Sequence, residues 1–458
     1  MKAESINKLR SQFRGEILEA GNDAYEGARK VYNAMIDRYP RWIARCADVA
    51  DIIEAVRFAG DKNVPVSIRG GGHNAAGLGV CDDGLVIDLS RMKDCRVDPR
   101  ARTVRVAGGC TWGDVDHATH AFGMATPSGF ISTTGVGGLT LGGGIGYLTR
   151  KYGLTIDNLL EADVVLADGR FVTASRGENP DLFWALRGGG GNFGVVTSFL
   201  FRLHPVDTVF AGPTLWPMEQ APEVLRRFTA FVKEAPEEVG GFFAFLTVPP
   251  VPVFPQELHH RKMCGVVWCY CGPVETGEQA LRPMRGFGKP SFEHVGEVPF
   301  PTLQSFFDPL YPPGLQWYWK ADYFKDLGEA TVNLNVQHAA ELPTPLSTSH
   351  LYLINGAVHH VKRQETAFEA RDSLFAQVIV GVDPDPRNNQ KITDWARAYW
   401  DGLHPHSAGS AYVNFLMDEG QDRVRASYGD NYRRLASIKA KYDPKNFFHV
   451  NQNIRPEA

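Results

Sequence analysis

Glycine is crowded into one stretch of this chain. Of its 47 glycines, 26 fall between Gly70 and Gly194, twice what even spacing over 458 residues would place there. Glycine loses more backbone freedom on folding than any other residue. Such density therefore marks a segment that repeatedly needs positive φ or close backbone approach. Three clusters stand out, at residues 70–72, 135–146 and 188–194. Runs of backbone N–H groups in tight turns form concave anion sites, and the missing side chains let a diphosphate come close.

The rest of the composition narrows the class. The length suggests two or three domains, and 43% hydrophobic with 22% charged residues is the mix of a globular protein. A net charge of −4 argues against a nucleic-acid partner. The first residues are charged and lack an apolar core, so no signal peptide is expected. No run of about 18 apolar residues suggests a membrane span. Seven cysteines with no C-x-x-C pair read as reduced thiols in a cytoplasmic protein.

Element signals divide the chain. Residues 47–60 read as a helix stopped by Gly60, residues 64–69 as a strand running into the first glycine cluster, and residues 85–89 as a strand. Residues 96–106 read as two strands about Asp98-Pro99. Residues 162–167 and 171–173 flank an Asp168-Gly169 hairpin, and residues 195–203 form a long strand. After Pro205 the texture changes to strands (242–246, 265–270) alternating with helices (221–232, 364–375), an α+β unit with an antiparallel sheet. A helix at 431–442 opens the tail.

Common cofactor signatures fail on context. Gly189, Gly191 and Gly194 form a G-x-G-x-x-G, but a helix precedes it and a strand follows, the reverse of a dinucleotide fingerprint. No complete P-loop is present. Asp114, Asp116, His117 and His120 read as the solvated side of a short helix, so no metal is expected.

Jointly, Arg69-Gly-Gly-Gly-His73-Asn74, Gly135-Val-Gly-Gly138, Gly142-Gly-Gly144, Arg150-Lys-Tyr-Gly-Leu154, Asp157-Asn158, Trp184 to Gly191 and Asn192-Phe-Gly-Val-Val196 resemble the berberine bridge enzyme-like flavoproteins. So do Tyr412-Val-Asn-Phe415, Tyr442 to Phe448 and Asn451-Gln-Asn-Ile454 near the C-terminus. The resemblance implies an α+β, two-domain flavoprotein of PCMH/vanillyl-alcohol-oxidase type. Its FAD-binding domain would be split between residues 1–205 and 405–458, with a substrate domain at 206–404. It implies FAD bonded covalently to His73, and hydride transfer from a small alcohol, amine or phenolic metabolite to flavin N5, with O₂ as acceptor giving H₂O₂. A flavin dehydrogenase or an oxidative cyclase on the same scaffold is the alternative. The expected partners are a small-molecule substrate and molecular oxygen, in a monomer or homodimer.

By the same resemblance, the cofactor-binding residues are Arg69, Gly70, Gly71, Gly72, His73, Asn74, Gly77, Thr134, Gly135, Gly138, Gly142, Gly143, Gly146, Asn158, Gly191, Gly194, Val196, Asn451 and Asn453. Tyr412 and Asn414, alternating on an expected strand, would present one face to flavin and substrate as catalytic groups. Lys320, on a strand at 316–323, would be a pocket cation tuning reactivity. Two positions depart from the family pattern. Many members attach FAD a second time, through a cysteine that Ile131 replaces here, so a single link is expected. Plant alcohol-oxidising members carry a tyrosine base where this chain has Ile145, so any base must lie elsewhere. Thr134 stands near a position tied to oxygen access, which leaves oxidase against dehydrogenase open.

Overall fold

The computed structural model describes residues 2–457, with side chains described from Ile6 onward. Three sheets organise it. The first orders Glu16–Leu18, Trp42–Arg45, Leu85–Asp88 and Val66–Arg69, with the last three parallel. Helix Val49–Lys62 covers it, packing Ile52, Val56 and Ala59 into the core. Gly60 does not stop this helix. The chain continues to Asn63, whose left-handed backbone (φ 51°) provides the cap.

The second sheet is antiparallel, ordered Cys95–Asp98, Thr103–Ala107, Val195–Arg202, Leu159–Val165 and Phe171–Ser175. The expected strand pairs fall within it, and Asp168-Gly169 makes the hairpin turn. The glycine clusters lie in the connections leaving these two sheets.

The third sheet has eight strands between residues 208 and 383, and its pairings are antiparallel. Helices Ala221–Glu234, Glu329–Ala340 and Asn389–Leu403 bury their apolar stripes on one face. The other face carries Phe242, Trp317, Tyr352, Val378 and Val380 into a core shared with the glycine-rich segments. A fully buried Lys439 on helix Asn431–Tyr442 ties the tail back to the third glycine cluster. Its ammonium donates to Asp443 (2.6 Å), Asn192 O (2.6 Å) and Phe448 O (2.8 Å).

Two local expectations change. Residues 364–375 are not a helix; Phe375 already begins a strand. Tertiary bonds override helical propensity there: Ala367 N donates to Arg187 O (2.9 Å), and Arg371 grips Asp157 with two bonds of 2.7 Å. Tyr412 and Asn414 are not on a strand either. Val413–Phe415 is a 3₁₀ turn that Tyr412 enters, yet the two side chains still meet, with Asn414 Nδ2 donating to Tyr412 Oη at 2.8 Å.

Candidate functional site

A cavity of about 320 Å³ opens between the glycine-rich loops and the bare face of the third sheet. Its walls come from both ends of the chain. Gly70 to Asn74 follow strand Val66–Arg69, Gly135 and Gly138 open helix Val136–Gly142, Gly191 and Gly194 lead into strand Val195–Arg202, and Tyr412 to Phe415 with Asn451 close it.

His73 stands at the centre. Its ring stacks on Tyr32 at 3.9 Å, with Nε2 3.0 Å from Thr133 Oγ1 and Nδ1 3.5 Å from Thr134 Oγ1. Burial with no carboxylate partner pushes its pKa down to about 4, so the imidazole is neutral near pH 7 and keeps one ring nitrogen unprotonated. Arg69 lines the cavity, but its guanidinium is engaged behind the loop by Asp88 Oδ2 (2.5 Å) and Ala28 O. It fixes the loop rather than reaching into the space.

The glycines divide by what a side chain would meet. A Cβ on Gly71 would lie 2.5 Å from Gly135 N, and one on Gly135 would lie 2.3 Å from Gly71 N, so the first two loops touch backbone to backbone. Cβ atoms on Gly138 and Gly191 would meet no protein atom within 4 Å, although both residues line the cavity. Space there is kept for something other than protein.

Several expected cofactor positions lie outside the cavity. Gly142 makes room for Asn414, Gly143 for Phe368 and Tyr412, Gly146 for the Ser128 backbone, and Gly77 for Ile36. Asn158 is structural: its Nδ2 donates to Tyr152 O (2.9 Å) and Leu154 O (3.0 Å), and its Oδ1 meets His204 Nε2 at 2.6 Å. Asn453 is not among the lining residues.

Lys320 is corrected as well. It points to the helix-covered face of the third sheet, pairs with Glu419 and sits 4.2 Å above the Trp400 ring. Its strand neighbours Trp317 and Trp319 face the cavity instead. Asp116 is buried rather than solvated, and burial raises its carboxyl to about 7.

The remaining expected residues do line the cavity: Gly70, Gly72, Asn74, Thr134, Val196, Tyr412, Asn414 and Asn451. Tyr412 Oη accepts from Gly144 N (2.7 Å) and from Asn414 Nδ2. Burial raises its pKa to about 12, against the lowering effect of these two bonds. Asn451 donates to Gly191 O (3.1 Å) and Phe448 O (2.9 Å), while its buried Oδ1 has no protein partner. Ile131 and Ile145 also line the wall.

Sequence reasoning missed Tyr32, Phe130, His350, Tyr352, Val378 and Val380, all on the cavity wall. The alternation of Thr348, His350 and Tyr352 along strand Thr348–Leu353 was the available signal.

A glycine-lined cleft with a neutral histidine, room at Gly138 and Gly191 and an unmatched acceptor at Asn451 suits a flat, anionic cofactor such as FAD. Comparison with known proteins agrees. Residues 40–175 match the FAD binding domain family model, and residues 411–455 match the model for berberine and berberine-like proteins. An FAD-linked oxidoreductase of Dictyostelium discoideum is 30% identical over 456 residues, covering 98% of this chain and 97% of that protein. The (R)-6-hydroxynicotine oxidase of Paenarthrobacter nicotinovorans is 27% identical, with 97% and 98% covered. The crystal structure of 6-hydroxy-D-nicotine oxidase from Arthrobacter nicotinovorans superposes with a TM-score of 0.87 at 25% identity, over 97% of this chain and 98% of that one. The fold and site define an FAD-dependent oxidoreductase. The chain belongs to the berberine bridge enzyme-like FAD-linked oxidoreductases.

Proposed function

We propose that this enzyme is an oxidase that carries FAD through one covalent bond, from His73 to the flavin 8α-methyl, and oxidises a small alcohol, amine or phenolic metabolite. The observation that carries the reading is His73 itself. It is neutral at physiological pH, set in the cavity wall, and flanked by hydroxyls rather than charges. A neutral imidazole nitrogen is a competent nucleophile toward an electrophilic carbon. Ile131, on the same wall, offers no thiol for a second bond.

Bound there, FAD would supply the two-electron acceptor, taking a hydride from substrate and returning the electrons to O₂ as H₂O₂. The chain's own residues hold the cofactor and handle the proton. The backbones of Gly70 to Gly72, Gly135, Gly138, Gly191 and Gly194 form the cradle, and Asn451 offers an acceptor to its polar edge. Tyr412, with two donors already on its oxygen, is set to stabilise negative charge, and Asn414 positions it.

In this reading the FAD-binding unit comprises residues 1–205 and 405–458, and residues 206–404 shape the substrate side. All seven cysteines are free, which fits a reducing, cytoplasmic setting. No helix among the described residues is long and apolar enough to cross a membrane.

The test is a panel of alcohols, amines and oligosaccharides assayed for O₂ uptake and peroxide. Substrate-dependent bleaching of the flavin with stoichiometric H₂O₂ is expected. Bleaching under air with no peroxide, and turnover only with an artificial acceptor, would replace the oxidase with a dehydrogenase.

A further inference from the structure

The cavity wall contains no aspartate, glutamate or lysine among the described residues, and its one arginine, Arg69, is paired with Asp88. An ammonium or carboxylate buried there would have no counter-charge, which costs several kcal/mol. The polar side chains that the third sheet offers are few. Thr348, His350 and Tyr352 project together from strand Thr348–Leu353, with Val378 and Val380 between them and Trp317 and Trp319.

His350 and Tyr352 form a pair. His350 Nδ1 and Tyr352 Oη are 2.7 Å apart. Aromatic neighbours hold both rings: Phe242 packs 5.0 Å from His350, and Phe130 stacks on Tyr352 at 4.2 Å. With the imidazole proton on Nε2, Nδ1 accepts the Tyr352 hydroxyl proton. The lone pairs of Tyr352 Oη are then open to a donor in the cavity.

His350, Thr348 and Tyr311 also line a second, smaller chamber of about 60 Å³. Its other walls are mostly apolar, with Phe242, Leu246, Phe307, Leu310 and Leu346 among them, apart from Thr247 and Ser347. His350 therefore stands where the two chambers meet, with Tyr352 beside it on the larger one.

We propose that the substrate is a neutral alcohol on an apolar body, its hydroxyl held by the His350–Tyr352 pair and its body lodged in the smaller chamber. This assignment rests on the flavoenzyme reading above and narrows its substrate class. The substrate hydroxyl would donate to Tyr352 Oη, whose own proton is held by neutral His350 Nδ1, so the pair orients the carbinol without taking up charge. The C–H hydrogen with its electron pair and the hydroxyl proton would both pass to bound FAD, and a neutral carbonyl product would remain. The pair thus holds a hydroxyl that Ile145 cannot.

The test uses flavin-loaded enzyme and a matched series: 3-phenylpropan-1-ol, 3-phenylpropylammonium, 3-phenylpropanoate and n-propylbenzene. Binding is read by quenching of tryptophan fluorescence. The alcohol is expected to bind at least about tenfold more tightly than either ion, and Tyr352→Phe should lower the alcohol-to-hydrocarbon affinity ratio about tenfold, the value of one net hydrogen bond. Retained n-propylbenzene binding shows that the variant is folded. Ala244→Leu, which fills the smaller chamber, should weaken all four ligands. Equal binding of alcohol and ammonium, or an unchanged ratio in Tyr352→Phe, would overturn the proposal. If the ratio collapses as expected but no substrate yields peroxide, the hydroxyl site stands and the oxidase reading falls.

Discussion

Gly138 offers a direct way to separate a glycine that serves the protein from one that serves a ligand. It lies in the first turn of helix Val136–Gly142, and a Cβ built on it meets no protein atom within 4 Å. Replacing glycine by alanine within a helix stabilises it by about 0.5–1 kcal/mol. Gly138→Ala should therefore raise the melting temperature of the flavin-free protein by roughly 1–4 °C, taking 2–4 °C per kcal/mol for units of this size. The same methyl projects into the cavity where the cofactor would lie. Flavin content, read from the ratio of visible to ultraviolet absorbance, should fall well below one per chain. Gly71→Ala is the contrasting case, because its Cβ would sit 2.5 Å from the Gly135 nitrogen. It should lose stability and flavin together. A full equivalent of flavin with an unchanged spectrum in Gly138→Ala would refute the idea that this glycine makes room for the cofactor.

Two further outcomes follow from other buried groups. Arg150 is buried without a carboxylate, and its five N–H groups reach Asn355 Oδ1 and the carbonyls of Val232, Ala235, Pro236 and Val239 around the end of helix Ala221–Glu234. Lysine can make three bonds at most, so Arg150→Lys should cost roughly 3–6 kcal/mol, at about 1.5–3 kcal/mol per charged bond lost. A midpoint in denaturant within error of the parent would contradict this. Stability should also fall on acidification. Burial holds His204 at about 4 and His350 at about 3, below the usual 6.5, so their contribution is complete above pH 6.5 and is lost as pH falls. Asp116, raised to about 7, acts in the opposite sense over the same range. With His73, also held at about 4, three histidines outweigh the one aspartate, so the net is a loss of stability between pH 6.5 and 5, and Asp116→Asn should steepen it. Unfolding free energies that stay level or rise on acidification would refute the assignment.

The parts of this molecule legible in sequence are those where the backbone does the work. Helices Pro180–Leu186 and Asn431–Tyr442 occupy the spans their patterns suggest, and the clusters at Gly70 to Gly72 and at Gly135 do line one cavity. What glycine alone cannot say is whom it makes room for. Gly138 and Gly142 sit four residues apart in one motif, yet the first faces open space and the second faces Asn414, 272 positions away in the chain.

Alternation along Gln316–Phe324 separates two faces but not their destinations. Lys320 therefore went to the helix layer and the tryptophans to the cavity. Tyr412 and Asn414 meet as their spacing suggests, although a 3₁₀ turn brings them together rather than a strand. His350 and Tyr352 carried no motif, because their meaning comes from the charge-free wall around them.

The central claim is one flavin bonded to His73, and one experiment reaches it directly. The purified protein is precipitated with acid, digested with trypsin, and the peptide spanning residues 70–91 is weighed by mass spectrometry. The account predicts a yellow pellet and a peptide heavier by one FAD, with fragmentation placing the addition on His73. A colourless pellet, all flavin in the supernatant and an unmodified 70–91 peptide would contradict it.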